Sequence, residues 1–560
     1  MAEPGRSYAL ITRLLVVTIA LAVASAMTLT AMKNPPRAGM AGSAPVQAER
    51  PGWLQAACEI PPALFQKIQR GYYPGRSPEI ITLPEQPNFY GSFTITTHSG
   101  PWNYLQRVPL VTYGPGFIRP RGEVSGATKV TLTDVAPTIA RLLKMKWPSD
   151  RPGTALNSAL LPKDDRKRPK LVVVVVWDGG GNNVLDAWPD AWPNLQSLMR
   201  GGAWFPRAVT GATQSNTPVA HSTLGTGVWP RRHGIIDIRL RSGENVVDSF
   251  VNQGGRFLEI GTIGDIYDRS RSNRAKVGIF GYHTWHQGMI GHGSAWPGAD
   301  ADDAAIVSHD GDSIIGLPNF RFPRYAASVE GLKDDTRTVD AGDGELDGRW
   351  MENPLDTPRQ LKDSPVYLKY QTRVVKQMIR REGYGRDRIP DLFMVNYKPV
   401  DVIGHRYNMT NPEIGSAIEY ADGELQRLRA FLNRSVGKRQ WVMLMTADHG
   451  QTPSARSTEA WPVNLTELTA DVSRHFEIPV GELFDGFRAG YLWVDKDVLR
   501  ENKLSLNEIS NFLTRYRLGA NVPSGDDVPS GYEARTDEKI LAAAWPTVHT
   551  DRIADCVFRN

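Results

Sequence analysis

The chain has 560 residues, 41% of them hydrophobic and 22% charged, the composition of an ordinary globular protein, neither disordered nor a multi-span membrane protein. Its formal net charge is only +5 and no long basic stripe runs through it, so no nucleic-acid-binding surface is evident. A small positive balance suits an anionic small-molecule substrate without demanding one.

In chain order, Arg6 and Arg13 precede the uncharged run Leu14–Met32, which contains Ala24-Ser25-Ala26 as a cleavage site. Residues 1–34 therefore read as a secretory signal peptide or a single uncleaved membrane anchor, and 35–50 as a Pro/Ala/Gly-rich linker. Either form exports the remainder, to the periplasmic or extracellular side. Residues 51–150 offer short strand candidates at Ile80–Leu83, Phe93–Thr97 and Pro109–Tyr113. They also hold one helix that begins in TDVAPTIARLLKM, with Thr133 or Asp134 as N-cap. Residues 151–170, rich in Pro, Asp and Lys, form a second linker. From 171 to 560, the apolar runs LVVVVVW, KVGIFG, DLFMVNY and WVMLMTA alternate with helical stretches. That alternation predicts an α/β fold, a three-layer α/β/α sandwich around a mainly parallel sheet. Continuous apolar strands further imply burial on both faces. The only cysteines, Cys58 and Cys556, form a disulfide in an oxidising compartment or are two unrelated buried thiols.

Three of the apolar strands end in a carboxylate or imidazole. Asp178 follows the first, Asp401 and His405 follow DLFMVNY, and Asp448 with His449 follows WVMLMTA. Ligands of open parallel sheets bind beyond the carboxyl ends of the strands, so these residues are expected on one rim. Oxygen and imidazole donors without thiolate suit zinc or a similar divalent ion. Between the first and third runs, Thr217 heads a helix in TPVAHSTLGTG. There, free N–H groups and the helix dipole favour a phosphoryl anion and a nucleophilic hydroxyl. Taken alone, Thr217 is an ordinary N-cap, and a lone DGG or DHG is an ordinary turn.

Together, VWDGG at Asp178, TPVAHSTLGTG at Thr217, HGI at His233–Ile235, DVIGH at 401–405 and ADHG at 447–450 resemble the alkaline phosphatase superfamily. The likeness is to its nucleotide pyrophosphatase/phosphodiesterase and single-domain alkaline phosphatase branches. The resemblance implies two divalent ions, zinc as the expected metal, about 4 Å apart. Asp178, Thr217, Asp448 and His449 would hold one, and Asp401 and His405 the other. Thr217 would attack phosphorus and become phosphorylated. The family takes a further ligand for the second ion from a His beyond DHG, and here only His475 and His549 follow. The corresponding segment resembles instead GYYPGRSPEI, TTHSGPWNYLQRVPLVTYGPG and TDVAPTIARLL, near the beginning. Hence the chain reads as circularly permuted. On this reading 51–150 is the displaced C-terminal segment of the catalytic domain, 171–560 is its main part, and His98 is the missing ligand. In the unpermuted order Cys58 and Cys556 come close together, which favours the disulfide. The rival is a separate 51–150 module with His549 as ligand.

The pattern also departs from the family. Its phosphate-binding Asn in HGIxxN is Ile238 here, Ala220 replaces another Asn, and the Lys/Arg pair of monoesterases is not recognisable. His283, His286 and His292 are candidate donors or structural residues of a glycine-rich loop. His221 and His233 read as structural. Lys398 is a candidate phosphate contact, with an exposed lysine as the plainer reading. These features favour phosphodiester or nucleotide-like substrates over monoesters. They leave a monoesterase, or a non-catalytic metal-containing binding protein, as alternatives. A sulfatase is disfavoured, because that branch needs a Cys or Ser in a C/S-x-P-x-R run and neither Cys is placed there.

Overall fold

A computed structural model describes residues 52–94, 96–127, 129–162 and 168–559. The signal or anchor (1–34) and first linker (35–50) lie outside the described residues, as do 163–167 of the second linker and Ile95. No helix among the described residues is long and apolar enough to cross a membrane.

Six strands carry the main sheet: β1 (Leu110–Tyr113), β2 (Leu171–Trp177), β3 (Val277–Gly281), β4 (Asp303–Val307), β5 (Asp391–Tyr397) and β6 (Trp441–Ala447). They lie in the order β4-β3-β5-β2-β6-β1, within a nine-stranded sheet completed by two-residue strands. The first five are parallel, and β1 runs antiparallel to β6. Side chains of a strand alternate between faces. Leu171, Val173, Val175 and Trp177 accordingly enter one core, with helices Pro365–Arg381 and Pro412–Leu432. Val172, Val174 and Val176 enter a second core, with helices Val135–Leu142 and Ile263–Ser270. The layers are α/β/α, as the uninterrupted apolar runs require.

A second, antiparallel sheet lies outside what the sequence patterns predict. Its order is Phe484–Arg488, Tyr491–Val494, Ile80–Pro84, Leu541–Pro546. The N-terminal segment thus contributes to both sheets, with β1 and the two-residue strand Gly122–Glu123 in the main sheet and Ile80–Pro84 inside the smaller one. Phe93–Thr97 forms no strand among its described residues; the strand there is Phe89–Tyr90, paired with Pro462–Val463. The helix expected from Thr133 or Asp134 is Val135–Leu142, with Asp134 at its N-cap position, and a 3-10 turn, Leu132–Asp134, leads into it. Thr131 caps a short 3-10 turn, and the Asp134 carboxylate accepts from the Thr131 and Thr154 N–H groups at 2.9 and 2.7 Å.

Cys58, ending helix Gly52–Cys58, is bonded to Cys556 of helix Thr550–Val557, with Cα atoms 5.5 Å apart across 498 residues of sequence. Trp53 stacks on His549 beside this bridge, ring centroids 5.1 Å apart. Closing so long a loop removes much unfolded-state entropy. Replacing both cysteines by Ser should therefore lower stability by about 2–5 kcal/mol, read as a lower denaturant midpoint. An unchanged midpoint would mean that the bridge contributes nothing.

Candidate metal centre and nucleophile

Register places the site. Trp177 of β2 lies level with Tyr397 of β5 and with Ala447 of β6. The next residues, Asp178, Lys398 and Asp448, consequently emerge side by side at one rim. The Asp178 N–H donates to the Tyr397 carbonyl at 2.9 Å. Gly179 then turns with φ +70°, and a Cβ there would lie 2.8 Å from Asp401 Cα, so only glycine lets the two loops meet. Helix α1 (Thr217–Thr226) and helix α2 (Pro399–Tyr407) both begin at this rim. The N-cap of α1 is Asn216, and Thr217 is the first helical residue. On α2, Asp401 and His405 share a face by their i, i+4 spacing, with His405 Nε2 3.5 Å from Asp401 Oδ1.

The structure gathers the sequence-predicted residues into two groups, each with ligand atoms within 4.8 Å of one another: Asp178, Asp448, His449, and His98, Asp401, His405. Thr217 Oγ1 donates to Asp178 Oδ1 at 3.4 Å. The groups adjoin, since the rings of His98 and His449 stack at 3.6 Å.

Backbone carbonyls fix the tautomers. His98 Nδ1 faces the Ser215 carbonyl (3.1 Å), His405 Nδ1 that of Thr96 (2.6 Å) and His449 Nδ1 that of Gly450 (3.0 Å). A carbonyl only accepts, so Nδ1 carries the proton and Nε2 keeps its lone pair. All three Nε2 atoms lie 3.5–3.8 Å from Asp401 Oδ1. Burial, then neighbouring His449, pushes His98 well below the usual histidine range, and burial also lowers His449, which keeps both rings neutral. Asp401 Oδ1, Asp448 Oδ2 and His449 Nε2 are buried without any hydrogen-bond partner. Convergent lone pairs of N and O type with no donor among them fit a divalent ion of the zinc kind, and carbonyl-locked imidazoles are the usual support of such ligands.

Two neighbouring histidines have the opposite wiring. His286 Nδ1 accepts from the Tyr282 and His283 N–H groups (2.9 and 3.1 Å), so its Nε2–H points at Asp178 Oδ2, 3.3 Å away. His221 Nδ1 donates to the Thr217 carbonyl (2.7 Å), and its Nε2 accepts from Asn396 Nδ2 (2.9 Å), which also donates to Asp178 Oδ2 (3.0 Å). Their lone pairs are engaged, so these residues position Thr217 and Asp178 rather than offer ligands. His292 is tied to Asp265 and the Leu258 carbonyl instead.

Lys398 is not an exposed lysine. It is buried, and its ammonium donates to Asp401 Oδ2 (2.6 Å), Asp178 Oδ1 (2.9 Å) and Thr217 Oγ1 (3.2 Å). Burial opposes the ionisation of Asp178, but Lys398, then His286, outweigh it and hold that carboxyl well below its usual range. Asp401 is also held low against burial, mainly by Lys398. Burial, then repulsion from Asp178, pushes Asp448 well up.

Thr217, His98, Asp401, His405 and Lys398 open onto a cavity of about 640 Å³ whose walls include Ile238, Trp285 and Arg488. Arg488 comes from the smaller sheet. Its Nε is 3.7 Å from Asp237 Oδ1, which in turn accepts from Asn216 Nδ2 at 2.6 Å, next to Thr217. Asn396 is recognisable in the sequence as the one amide in a fully apolar strand. Arg488 carries no local signal.

With this geometry in hand, comparison with known proteins is direct. A family model described as type I phosphodiesterase / nucleotide pyrophosphatase matches residues 172–557. The chain belongs to this family, and membership supports phosphoester hydrolysis. It is similar to the alkaline phosphatase PhoD of Zymomonas mobilis, 20% identical over 308 residues, 50% of this chain and 53% of that protein. It is also similar to the venom phosphodiesterase CdcPDE of Crotalus durissus collilineatus, 24% identical over 285 residues, 50% of this chain and 26% of that protein. The match thus spans about half the length of the first relative and a quarter of the second. Among solved structures, the alkaline phosphatase PafA is similar at 15% identity and a TM-score of 0.49, covering 68% of this chain and 85% of that one.

Proposed function

We propose that the protein is an exported, metal-dependent phosphoester hydrolase that works through a phosphothreonine at Thr217. The observation that carries this reading is the Thr217 hydroxyl at the start of α1, in contact with Asp178 and beside two sets of convergent imidazole and carboxylate lone pairs. Asp178, Asp448, His449 and Thr217 would hold one ion, and His98, Asp401 and His405 the other, zinc being the expected metal. When bound, two such ions supply positive charge that makes a neighbouring hydroxyl more acidic and neutralises phosphoryl oxygens.

The chain's own residues account for the rest. Thr217 Oγ attacks phosphorus and forms the new O–P bond, the bond to the leaving oxygen breaks on the opposite side, and the threonine proton ends on that leaving oxygen by way of solvent, while the ionised Asp178 and Lys398 stay as they are. Free N–H groups at the start of α1 face the phosphoryl oxygens. Water then cleaves the phosphothreonine O–P bond, releasing the phosphate product and restoring the hydroxyl. His221 and Asn396 hold the nucleophile and Asp178 in register throughout. Metal analysis, with hydrolysis of aryl phosphate mono- and diesters by the wild type and Thr217→Ala, tests the reading. Two bound ions and Thr217-dependent turnover support it; no turnover on any ester leaves a binding protein.

Phosphodiesters and nucleotide-like esters are the favoured class. Ile238, apolar, lies where the family's phosphate-binding Asn is expected, and Arg488 is the cation best placed to grip a phosphoryl oxygen instead. Arg488→Ala should raise KM for aryl phosphates about 10- to 100-fold with kcat little changed, as expected for losing one charge-assisted hydrogen bond. Arg488→Lys should restore part of the loss, and an unchanged KM would remove Arg488 from the site. A monoesterase is the second reading, favoured by the buried Lys398 ammonium, which adds a second cation for a phosphate dianion.

The order of segments we read as permuted, with 51–150 and 171–560 building one catalytic domain and 151–170 bridging the family's old ends. Support comes from β1 pairing with β6, from His98 beside Asp401, and from a family match that begins only at residue 172. The Cys58–Cys556 bridge supports an oxidising, exported setting.

A further inference from the structure

The main sheet has a second cluster of carboxylates, at the opposite ends of its strands from Thr217. Asp268 lies in the last turns of helix Ile263–Ser270, and Asp300 and Asp302 lie on the loop that enters β4. Their ligand oxygens fall within 4.8 Å of one another. Asp268 is fully buried and Asp302 nearly so, whereas Asp300 is exposed.

What sets this cluster apart from an ordinary acidic surface is its lack of partners. Both Asp268 oxygens and Asp302 Oδ2 are buried with no hydrogen-bond partner outside the cluster, and within it Asp268 meets only the carboxyl and N–H of Asp300. Asn273, whose N–H donates to the Asp268 carbonyl at 3.1 Å, also has a buried Oδ1 without a donor. Among the described residues, no lysine or arginine pairs with Asp268, Asp300 or Asp302. The nearby Arg321 is committed to Asp303 and Glu382, and Asp265 is committed to His292. An unpaired carboxylate taken from water costs several kcal/mol, and the buried Asp268 and Asp302 together, beside the charge of Asp300, cost more. Burial and the charge of Asp300 push Asp268 up to about 7, and burial with Asp268 raises Asp302 as well.

The cluster therefore needs either shared protons or a cation. The donor set consists of oxygen alone, with neither imidazole nor thiolate, which selects a hard ion over zinc. Three converging carboxylates, with water completing the shell at the open Asp300 side, suit calcium's larger oxygen shell better than magnesium, which is ordinarily held by one or two carboxylates and keeps several waters. We propose that Asp268, Asp300 and Asp302 form a calcium site, separate from the phosphoester centre, that ties helix Ile263–Ser270 to the entry of β4.

The test uses the full chain with its resident metals retained. Equilibrium dialysis against calcium at about millimolar concentration should find one additional ion per chain, and thermal melting should rise saturably with calcium. Asp302→Asn and Asp268→Asn should abolish both responses while leaving ester hydrolysis at the wild-type rate. Asp300→Asn, at an exposed position that cannot disturb folding, should weaken calcium binding at least ~10-fold. Three results would overturn the site. One is a wild type that binds no more calcium than Asp268→Asn or Asp302→Asn does. Another is a response to magnesium as strong as that to calcium. The last is an Asn substitution that makes the protein more stable than the wild type at every calcium concentration, which would identify a proton-sharing pair instead.

Discussion

Replacing Thr217 by alanine is expected to lower kcat for every hydrolysed ester by at least ~10⁴-fold, the scale on which loss of a nucleophile acts. The substitution is mild in structural terms. Thr217 is the first residue of α1, alanine is the best helix former, and the contact of His221 to residue 217 is with its carbonyl, which remains. Only the bonds of the hydroxyl to Asp178 and Lys398 are lost. Asp178, Asp448 and His449 stay in place, so metal content should fall little. Thr217→Ser, which keeps the hydroxyl, should retain most of the activity and trap phosphate on residue 217 in rapid-quench experiments. A Thr217→Ala enzyme within tenfold of the wild type would refute the phosphothreonine route and point to direct attack by water.

Much of the candidate site is legible in the sequence because it sits where strands stop. Asp178 and Asp448 each follow a seven-residue apolar run, and strands of equal length in register deliver their next residues to one rim. By the same register, β5 delivers Lys398 there, one residue past Tyr397. An exposed lysine is the plainer expectation because a lysine is seldom buried, and only the paired carboxylates on either side overturn it. Asp401 and His405 are readable from i, i+4 spacing alone. The division of the histidines is readable only through the family resemblance, which names His449 and leaves His286 open. His449 and His286 are both buried imidazoles near Asp178, and what separates a ligand from a positioning donor is whether Nδ1 meets a carbonyl or an N–H group. That depends on local backbone geometry which no residue pattern encodes. The smaller sheet escapes for a related reason, since its strands begin at residues 80, 484, 491 and 541 and no local period joins them. Its local signals are the strand candidate Ile80–Leu83, found as Ile80–Pro84, and the Ala489-Gly490 pair with positive φ at both positions, a tight hairpin between Phe484–Arg488 and Tyr491–Val494.

His98→Ala is the substitution that bears most directly on the order of the chain. Loss of its Nε2 should leave Asp401 and His405 as the only protein ligands of one ion. That ion should be lost on dialysis, with turnover falling about 10²- to 10³-fold, while the ion held by Asp178, Asp448 and His449 remains. Packing complicates the reading, because the His98 ring stacks on His449 and Ser215 donates to the His98 carbonyl. Removing the ring also opens a hole against a ligand of the other ion. Added imidazole separates the two effects: filling the hole with a free ligand should recover metal and turnover together, whereas recovery of stability without metal would make His98 a packing residue. His549→Ala is the matched control. His549 stacks on Trp53 next to the Cys58–Cys556 bridge, so its loss should soften the junction of the chain ends and leave both ions bound. If His549→Ala lost an ion and His98→Ala kept both, the segment 51–150 would be an accessory to the centre. The expected result instead makes one ion depend on residues 98, 401 and 405 together. Neither the early segment nor the later one could then assemble the centre alone, as the permuted reading expects.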